Sequence, residues 1–316
     1  VKWLVPSEQK LVPFLQGQIG SYSGKFLRKL LEANLCRING KVERFGSRVV
    51  SGGDTVELAP SWKSLLTPKL SHFDTFYEDD FFKIVSKPAG FVCNDVEVAK
   101  AFGPKHYLVH RLDKDTTGLL IIAKAMASRD ELIQLFESRE IAKQYIALVD
   151  GIPKAKEGIR KSLFAKRGSF QGQTIWGSSS KGLTAITAWK TISEGKKGSV
   201  VLCEPVTGRT HQIRIHMAEM GHPILVDRQY GKIFKCQLFF QRPLLHAYRL
   251  NFSFRGKRID VVAPLTQDML EAISLLNVDA GHLREFFRHE KHENGRDQGH
   301  DHKDTKEVEK SAYAIH

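Results

Sequence analysis

In His110-Arg111-Leu112-Asp113-Lys114-Asp115-Thr116-Thr117-Gly118 a carboxylate, Asp113, lies between cationic neighbours just before the apolar run Leu119-Leu120-Ile121-Ile122-Ala123. A short apolar run bounded by turn residues reads as a core strand, and a rigid strand end is a good support for a reactive side chain on the adjoining loop. Asp113 is therefore the first candidate for chemistry. Three other segments carry polar groups that packing alone would not demand. They are Lys87-Pro88-Ala89-Gly90, Lys143-Gln144-Tyr145-Ile146-Ala147-Leu148-Val149, and Thr207-Gly208-Arg209-Thr210-His211-Gln212-Ile213-Arg214-Ile215-His216.

These segments need a framework. Strand-like runs at 82–85, 118–123, 145–149, 199–204, 246–254 and 259–262 alternate irregularly with helical patterns near 127–136 and 212–220. Connections vary widely in length and regular βα alternation is absent. That predicts an α+β domain over 77–280 with a mixed, mainly antiparallel sheet.

Residues 11–58 read as a separate small α+β unit. Phe26, Leu27, Leu30 and Leu31 recur at helical spacing, with Lys25, Arg28 and Lys29 around the same turns. Asn39-Gly40, inside Cys36-Arg37-Ile38-Asn39-Gly40-Lys41-Val42, predicts a hairpin turn. Gly52-Gly53-Asp54-Thr55-Val56-Glu57-Leu58 predicts a turn and a strand. The division expected is 1–60 as this unit, 61–76 as a polar linker containing Pro68, 77–280 as the large domain, and 281–316 as a disordered tail rich in charge and histidine.

The formal charge is +13, and the tail is nearly neutral, so the basic excess belongs to the folded part. That favours a polyanionic partner, since lysine and arginine displace counterions condensed on phosphates. The four cysteines, Cys36, Cys93, Cys203 and Cys236, form no Cys-x-x-Cys pair, so neither a zinc site nor a disulfide framework is suggested. No stretch approaches the roughly 18 apolar residues of a membrane span, and no secretion signal is visible. The expectation is a cytoplasmic protein. His211 and His216 are five apart, unlike the i, i+4 pair of a helical zinc site. Asp113 and Asp115 lack the further acidic cluster of a metal-dependent nuclease. Among the tail histidines, His289, His292, His300 and His302, a solvated polar segment is the favoured reading over a metal site.

The order and wording of the four segments closely resemble the RluA-type pseudouridine synthases, with "H-R-L-D-x-x-T-S-G-L-L" and "T-G-R-T-H-Q-I-R-x-H". The likeness continues through Gly221-His222-Pro223, Asp227, Tyr230-Gly231 and Leu244-Leu245-His246-Ala247. Thr117 stands where the family usually has serine, and a hydroxyl is kept. The resemblance implies the pseudouridine synthase fold and the isomerisation of uridine in structured RNA without cofactor or metal. It implies Asp113 as nucleophile, Arg209 as its ionic partner and Tyr145 as the active-site tyrosine. It also implies that Arg111 fills the vacancy left by a flipped base and that Leu245 walls the pocket.

Residues 11–58 resemble the S4 RNA-binding domain, which would assign phosphate contacts to Lys25, Arg28, Lys29 and Arg37. Ribosomal RNA of the large subunit is the favoured substrate over transfer RNA, and a monomer is expected. The competing class is a non-catalytic RNA-binding or ribosome-assembly protein that keeps the fold and binds without isomerisation.

Overall fold

The computed structural model describes residues 1–20, 22–65, 73–170, 173–231, 234–236 and 238–292. The described residues fall into two compact units. One takes those of 1–70 with 237–242, and the other takes the remainder.

The smaller unit runs β1 (Lys2–Leu4), β2 (Gln9–Lys10), α1 (Leu11–Ile19), α2 (Gly24–Glu32), β3 (Cys36–Ile38), β4 (Lys41–Val42), β5 (Val49–Val50) and β6 (Thr55–Leu58). Its four-stranded sheet has the order β1-β6-β3-β4. Asn39 and Gly40 both take positive φ, 51° and 77°, as a tight hairpin turn between β3 and β4 demands. Helix α2 begins where the Ser23 hydroxyl accepts the Phe26 N–H at 3.2 Å. Leu27, Leu30 and Leu31 enter the core with Leu11, Leu15, Val56 and Leu58, which leaves Lys25, Arg28 and Lys29 exposed on the opposite face.

Arg37 departs from its expected place. It is buried, its Nη2 donates to the Leu238 carbonyl at 2.9 Å, and its guanidinium lies 3.7 Å from the centroid of the Phe239 ring. A cation already spent on a carbonyl and an aromatic face is not placed for a phosphate.

The expected linker is shorter than 61–76. Pro60–Leu65 is a 3-10 helix whose Trp62 is buried edge-on to Tyr22 at 5.2 Å, and a strand already begins at Thr75. Pro68 lies outside the described residues.

The larger unit follows with β7 (Thr75–Glu78), β8 (Phe82–Lys87), α3 (Asp95–Phe102), β9 (Tyr107–Leu108), β10 (Thr117–Ala123), α4 (Met126–Glu137) and β11 (Ala142–Asp150). It continues through β12 (Glu157–Phe170), β13 (Gln173–Ser178), β14 (Leu183–Glu194), β15 (Gly198–Pro205) and α5 (Gln212–Glu219). It closes with β16 (Leu245–Phe254), β17 (Lys257–Val262), α6 (Gln267–Leu276) and α7 (Ala280–His292). The main sheet has the order β13-β12-β14-β15-β11-β16-β10-β8-β7, with β17 beside β16 and β9 beside β10. The β10–β16 pair is parallel and the neighbours around it are antiparallel, so the mixed sheet of an α+β protein is observed.

β10 is buried throughout, and apolar from Leu119 onwards, because both of its faces are covered. Leu119 and Ile121 pack with Leu132 of α4 and with Leu250 and Phe252. Leu120 and Ile122 face Phe91, Val98 and Leu112. Gly118 has φ +107°, and a Cβ there would lie 2.1 Å from the Ala247 carbonyl oxygen, so only glycine lets β10 and β16 approach at this point.

The expected disorder from residue 281 is corrected for its first part. Leu283 is buried, Phe287 packs on Tyr248 with ring centroids 5.4 Å apart, and the Ser193 hydroxyl donates to the Asp279 carbonyl at 3.0 Å. Leu283, Phe286 and Phe287 form an apolar stripe at helical spacing inside a charge-rich segment, and that stripe pays for the helix. Residues 293–316, with His300 and His302, lie outside the described residues.

Candidate active site

A cleft of about 610 Å³ opens where the loop before β10, the bulged start of β11 and the turn into α5 converge. Asp113, Arg111, Tyr145, Arg209, His211, Arg214 and Leu245 line it.

The loop carrying Asp113 is tied from several sides. Its own turn closes through the Thr116 N–H on the Asp113 carbonyl at 3.1 Å. Lys87, with no exposed surface, donates to the carbonyls of Pro88, Phe91 and Lys114 at 3.0, 3.1 and 2.8 Å. The Gly90 N–H also donates to Lys114 at 2.8 Å. One buried ammonium thus binds the 87–91 turn to the Asp113 turn, which explains why polar Lys87-Pro88-Ala89-Gly90 sits at the end of a core strand.

On the other side, His110 Nε2 accepts the Ile121 N–H at 3.0 Å, and its ring stacks on Phe136 at 4.5 Å. Burial, and then Lys143, push its pKa down to about 3, so the ring is neutral with its proton on Nδ1. The Thr117 hydroxyl lies 2.8 Å from His246 Nδ1 in the buried parallel pair.

Arg214, in the first turn of α5, is the cation that meets Asp113. Its Nε and Nη2 donate to the two oxygens of Asp227 at 2.6 and 3.0 Å, Nη2 also reaches Gln229 Oε1 at 2.9 Å, and Nη1 lies 3.4 Å from Asp113 Oδ2. Burial works against this guanidinium's charge, but the bonds and charge of Asp227 and the charge of Asp113 outweigh it and raise its pKa. The fork is thus fixed by Asp227 and presents its free arm to the cleft.

His211 holds a left-handed backbone, φ 57°, immediately before α5. Its Nδ1 is 2.7 Å from the Tyr230 hydroxyl and its Nε2 is 3.9 Å from Asp113 Oδ1. Burial lowers its pKa first, with Asp113 pulling the other way.

Tyr145 stands just after a register shift between Gln144 and Tyr145, where β11 slips against β16. A bulge beside a cleft re-aims the side chain that follows it. Burial first, then the Asp113 and Cys93 charges, hold its phenol above the usual tyrosine range, so it stays protonated in the free protein. Leu245, 3% exposed, gives an apolar wall. Arg111 is exposed and lines the cleft.

A carboxylate held on a rigid turn, oriented by an anchored guanidinium and facing a phenol across an apolar-walled cleft, is equipped for nucleophilic attack on an electrophilic carbon. Residues 82–219 match the family described as RNA pseudouridylate synthase. The chain is 31% identical over 288 residues to the ribosomal large subunit pseudouridine synthase C of Buchnera aphidicola subsp. Baizongia pistaciae, covering 82% of this chain and 90% of that protein.

The chain belongs to the RNA pseudouridylate synthase family.

Within it the relationship is of the RluA type, and the protein is a pseudouridine synthase, an isomerase acting on RNA. Ribosomal large subunit pseudouridine synthase D of Pasteurella multocida is 29% identical over 302 residues, 86% of this chain and 92% of that one. The solved structure of human RNA pseudouridylate synthase domain containing 4 superposes with a TM-score of 0.55 at 20% identity, covering 65% of this chain and 93% of its own. It supports the fold.

In this pseudouridine synthase the expected Asp113–Arg209 pair is replaced by Asp113–Arg214. Arg209 is exposed at the cleft wall, its Nε donating to the Thr184 carbonyl at 3.1 Å and its N–H to Gln212 Oε1 at 3.0 Å. The turn 207–211 points Arg209 towards β14, whereas the helix brings Arg214 inward.

The signal for Arg214 lay in α5 itself. Residues 212–217 are all buried, and an arginine inside such a helix must have a carboxylate partner. Asp227, quoted only as part of the resemblance, is that partner.

Proposed function

We propose that this enzyme isomerises uridines of large-subunit ribosomal RNA, with the Asp113 carboxylate as the group that engages the nucleotide covalently. The observation that carries the reading is the Asp227–Arg214–Asp113 chain opening into a cleft walled by Tyr145 and Leu245. Ribosomal RNA is favoured because several relatives matched over most of their length are named ribosomal large subunit pseudouridine synthases.

The net reaction breaks the bond between ribose C1′ and N1, turns the base, joins C1′ to C5, and moves the C5 proton to N1. Atoms and electrons balance within the nucleotide, so no oxidant, reductant or other co-reactant is required, and the enzyme is proposed to act as a cytoplasmic monomer without cofactor or metal. Asp113 forms and later releases the bond to the substrate, as carboxylate nucleophiles do in glycosidases. Arg214 holds it ionised and oriented. Tyr145 stacks on the extruded base near C5, where its phenol is a hydrogen-bond partner. Arg111, exposed at the rim, reaches into the gap left by the base and offsets part of the few kcal/mol of unstacking. Arg209, on the same rim, contacts backbone phosphate instead of Asp113.

The smaller unit is assigned to RNA docking as an S4-like module, through Lys25, Arg28 and Lys29 on the free face of α2. Neutralising the three together should flatten the salt dependence of RNA binding.

The test of the substrate is to map pseudouridines in ribosomal and transfer RNA from cells with and without the protein. Loss of specific large-subunit positions is expected, and an unchanged ribosomal map with losses in transfer RNA overturns the assignment.

A further inference from the structure

A second cleft, of about 380 Å³, adjoins the one that holds Asp113. Arg139, Lys143, Pro205 and Val206 line both, so the two are continuous past these residues. We propose that Arg139 and Lys143 form a phosphate subsite that holds the RNA backbone of a nucleotide adjacent to the target uridine, in the groove leading away from Asp113. This rests on the RNA-modifying reading above and extends it to a contact that the reacting atoms do not need.

Three observations converge on it. First, neither cation has a carboxylate partner among the described residues. The other cation of the second cleft, Arg249, is by contrast paired to Asp260 at 2.7 Å, and the Glu204 carboxylate is held by the neutral amide of Gln144, which donates to it at 2.9 Å.

Second, Arg139 occupies a left-handed position, φ 64°, directly after α4. The Arg139 N–H meets the Phe136 carbonyl at 3.3 Å and the Glu140 N–H meets the Leu135 carbonyl at 2.9 Å. This helix-ending turn favours glycine, and an arginine there is kept at a conformational cost.

Third, Lys143 is held over the Phe136 ring at 5.5 Å, and its pKa is lowered, first by burial and then by Arg139. Lys143 is half-buried and Arg139 exposed beside it, and two cations that repel each other gain most when an anion comes between them. Lys143 also precedes Tyr145 by two residues across the bulge in β11, so a backbone lying on it continues towards the cleft of Asp113.

The test uses the full chain and transcribed, unmodified large-subunit ribosomal RNA from the source organism. Binding is measured in an Asp113→Asn background across a salt series. Combining Arg139→Gly with Lys143→Gln should lower the slope of log Kd against log salt by about 1.5, and raise Kd about tenfold at low salt. Lys190→Gln, an exposed cation on β14, should change neither.

With Asp113 intact, the double variant should keep the single-turnover rate at saturating RNA within about threefold, while kcat/KM falls with affinity. Arg139→Gly alone should melt at or above the parent temperature and the double variant close to it, which shows that lost binding is not lost folding. A slope equal to the parent's, or one lowered as much by Lys190→Gln, overturns the subsite. Absence of pseudouridine with the unmutated protein overturns the functional reading instead.

Discussion

Asp227→Asn isolates the anchored guanidinium. The Asp227 carboxylate is 1% exposed and accepts from Arg214 Nε at 2.6 Å, Arg214 Nη2 at 3.0 Å, and the Gln229 and Tyr230 N–H groups at 3.1 and 3.4 Å. Asparagine keeps the shape but removes the charge, and its amide NH2 cannot accept from the guanidinium. Arg214 would remain buried with only Asp113, at 3.4 Å, to balance it. Breaking a buried pair in this way costs about 3–5 kcal/mol. At roughly 2–4 °C per kcal/mol for a unit of this size, the melting temperature should fall by about 6–20 °C.

Combining Arg214→Met with Asp227→Leu removes both charges and fills the space with apolar atoms, so it should recover most of that loss. It should not recover turnover, because Asp113 then lacks its orienting cation. Thermal melts, paired with pseudouridine formation well below the transition, read both quantities. A fall under about 2 °C for Asp227→Asn, or full activity in the doubly apolar variant, would refute the anchoring argument.

Gly118→Ala should cost about 3 kcal/mol or more, since its Cβ meets the Ala247 carbonyl at 2.1 Å and the backbone has φ +107°; a urea midpoint close to that of the parent would contradict it. His216 has no exposed surface, and burial holds its pKa down to about 4. The unfolded chain binds this proton from about pH 6.5 downwards and the folded protein does not, so this stability is present above pH 6.5 and declines as pH falls towards 4. Between pH 7 and 5 the loss should be about 2 kcal/mol, and His216→Asn should flatten that part of the urea-midpoint profile. Arg209→Ala should weaken RNA binding and leave the single-turnover rate within about threefold, whereas Arg214→Ala should lower that rate by at least a hundredfold; equal losses of rate would return Arg209 to the reacting centre.

The elements legible in the sequence were those with one unambiguous pattern. The doubly buried β10, the Asn39-Gly40 hairpin and the amphipathic α2 all appear where their residues predict. The long strands β12 and β14 were not read, because Ile159, Leu163 and Leu183 are exposed in them and blur the alternation of apolar and polar faces. Helix α7 was hidden by its charge.

At the site, motif order brought out residues that line one cleft, but it chose Arg209 where Arg214, five residues on, is the arginine that meets Asp113. That choice depends on the direction in which the turn 207–211 releases the chain and on Asp227 from a later loop, neither of which is a local property. Arg37 misled for the same reason, since its partners Leu238 and Phe239 are some two hundred residues away in sequence.

The most direct test of the central claim compares the unmutated protein with Asp113→Asn on transcribed large-subunit ribosomal RNA, reading pseudouridine position by position and RNA affinity side by side. The account predicts pseudouridine at discrete positions with the unmutated protein and none with Asp113→Asn, at affinities within about threefold of each other. Pseudouridine formed by Asp113→Asn at the unmutated rate would contradict it.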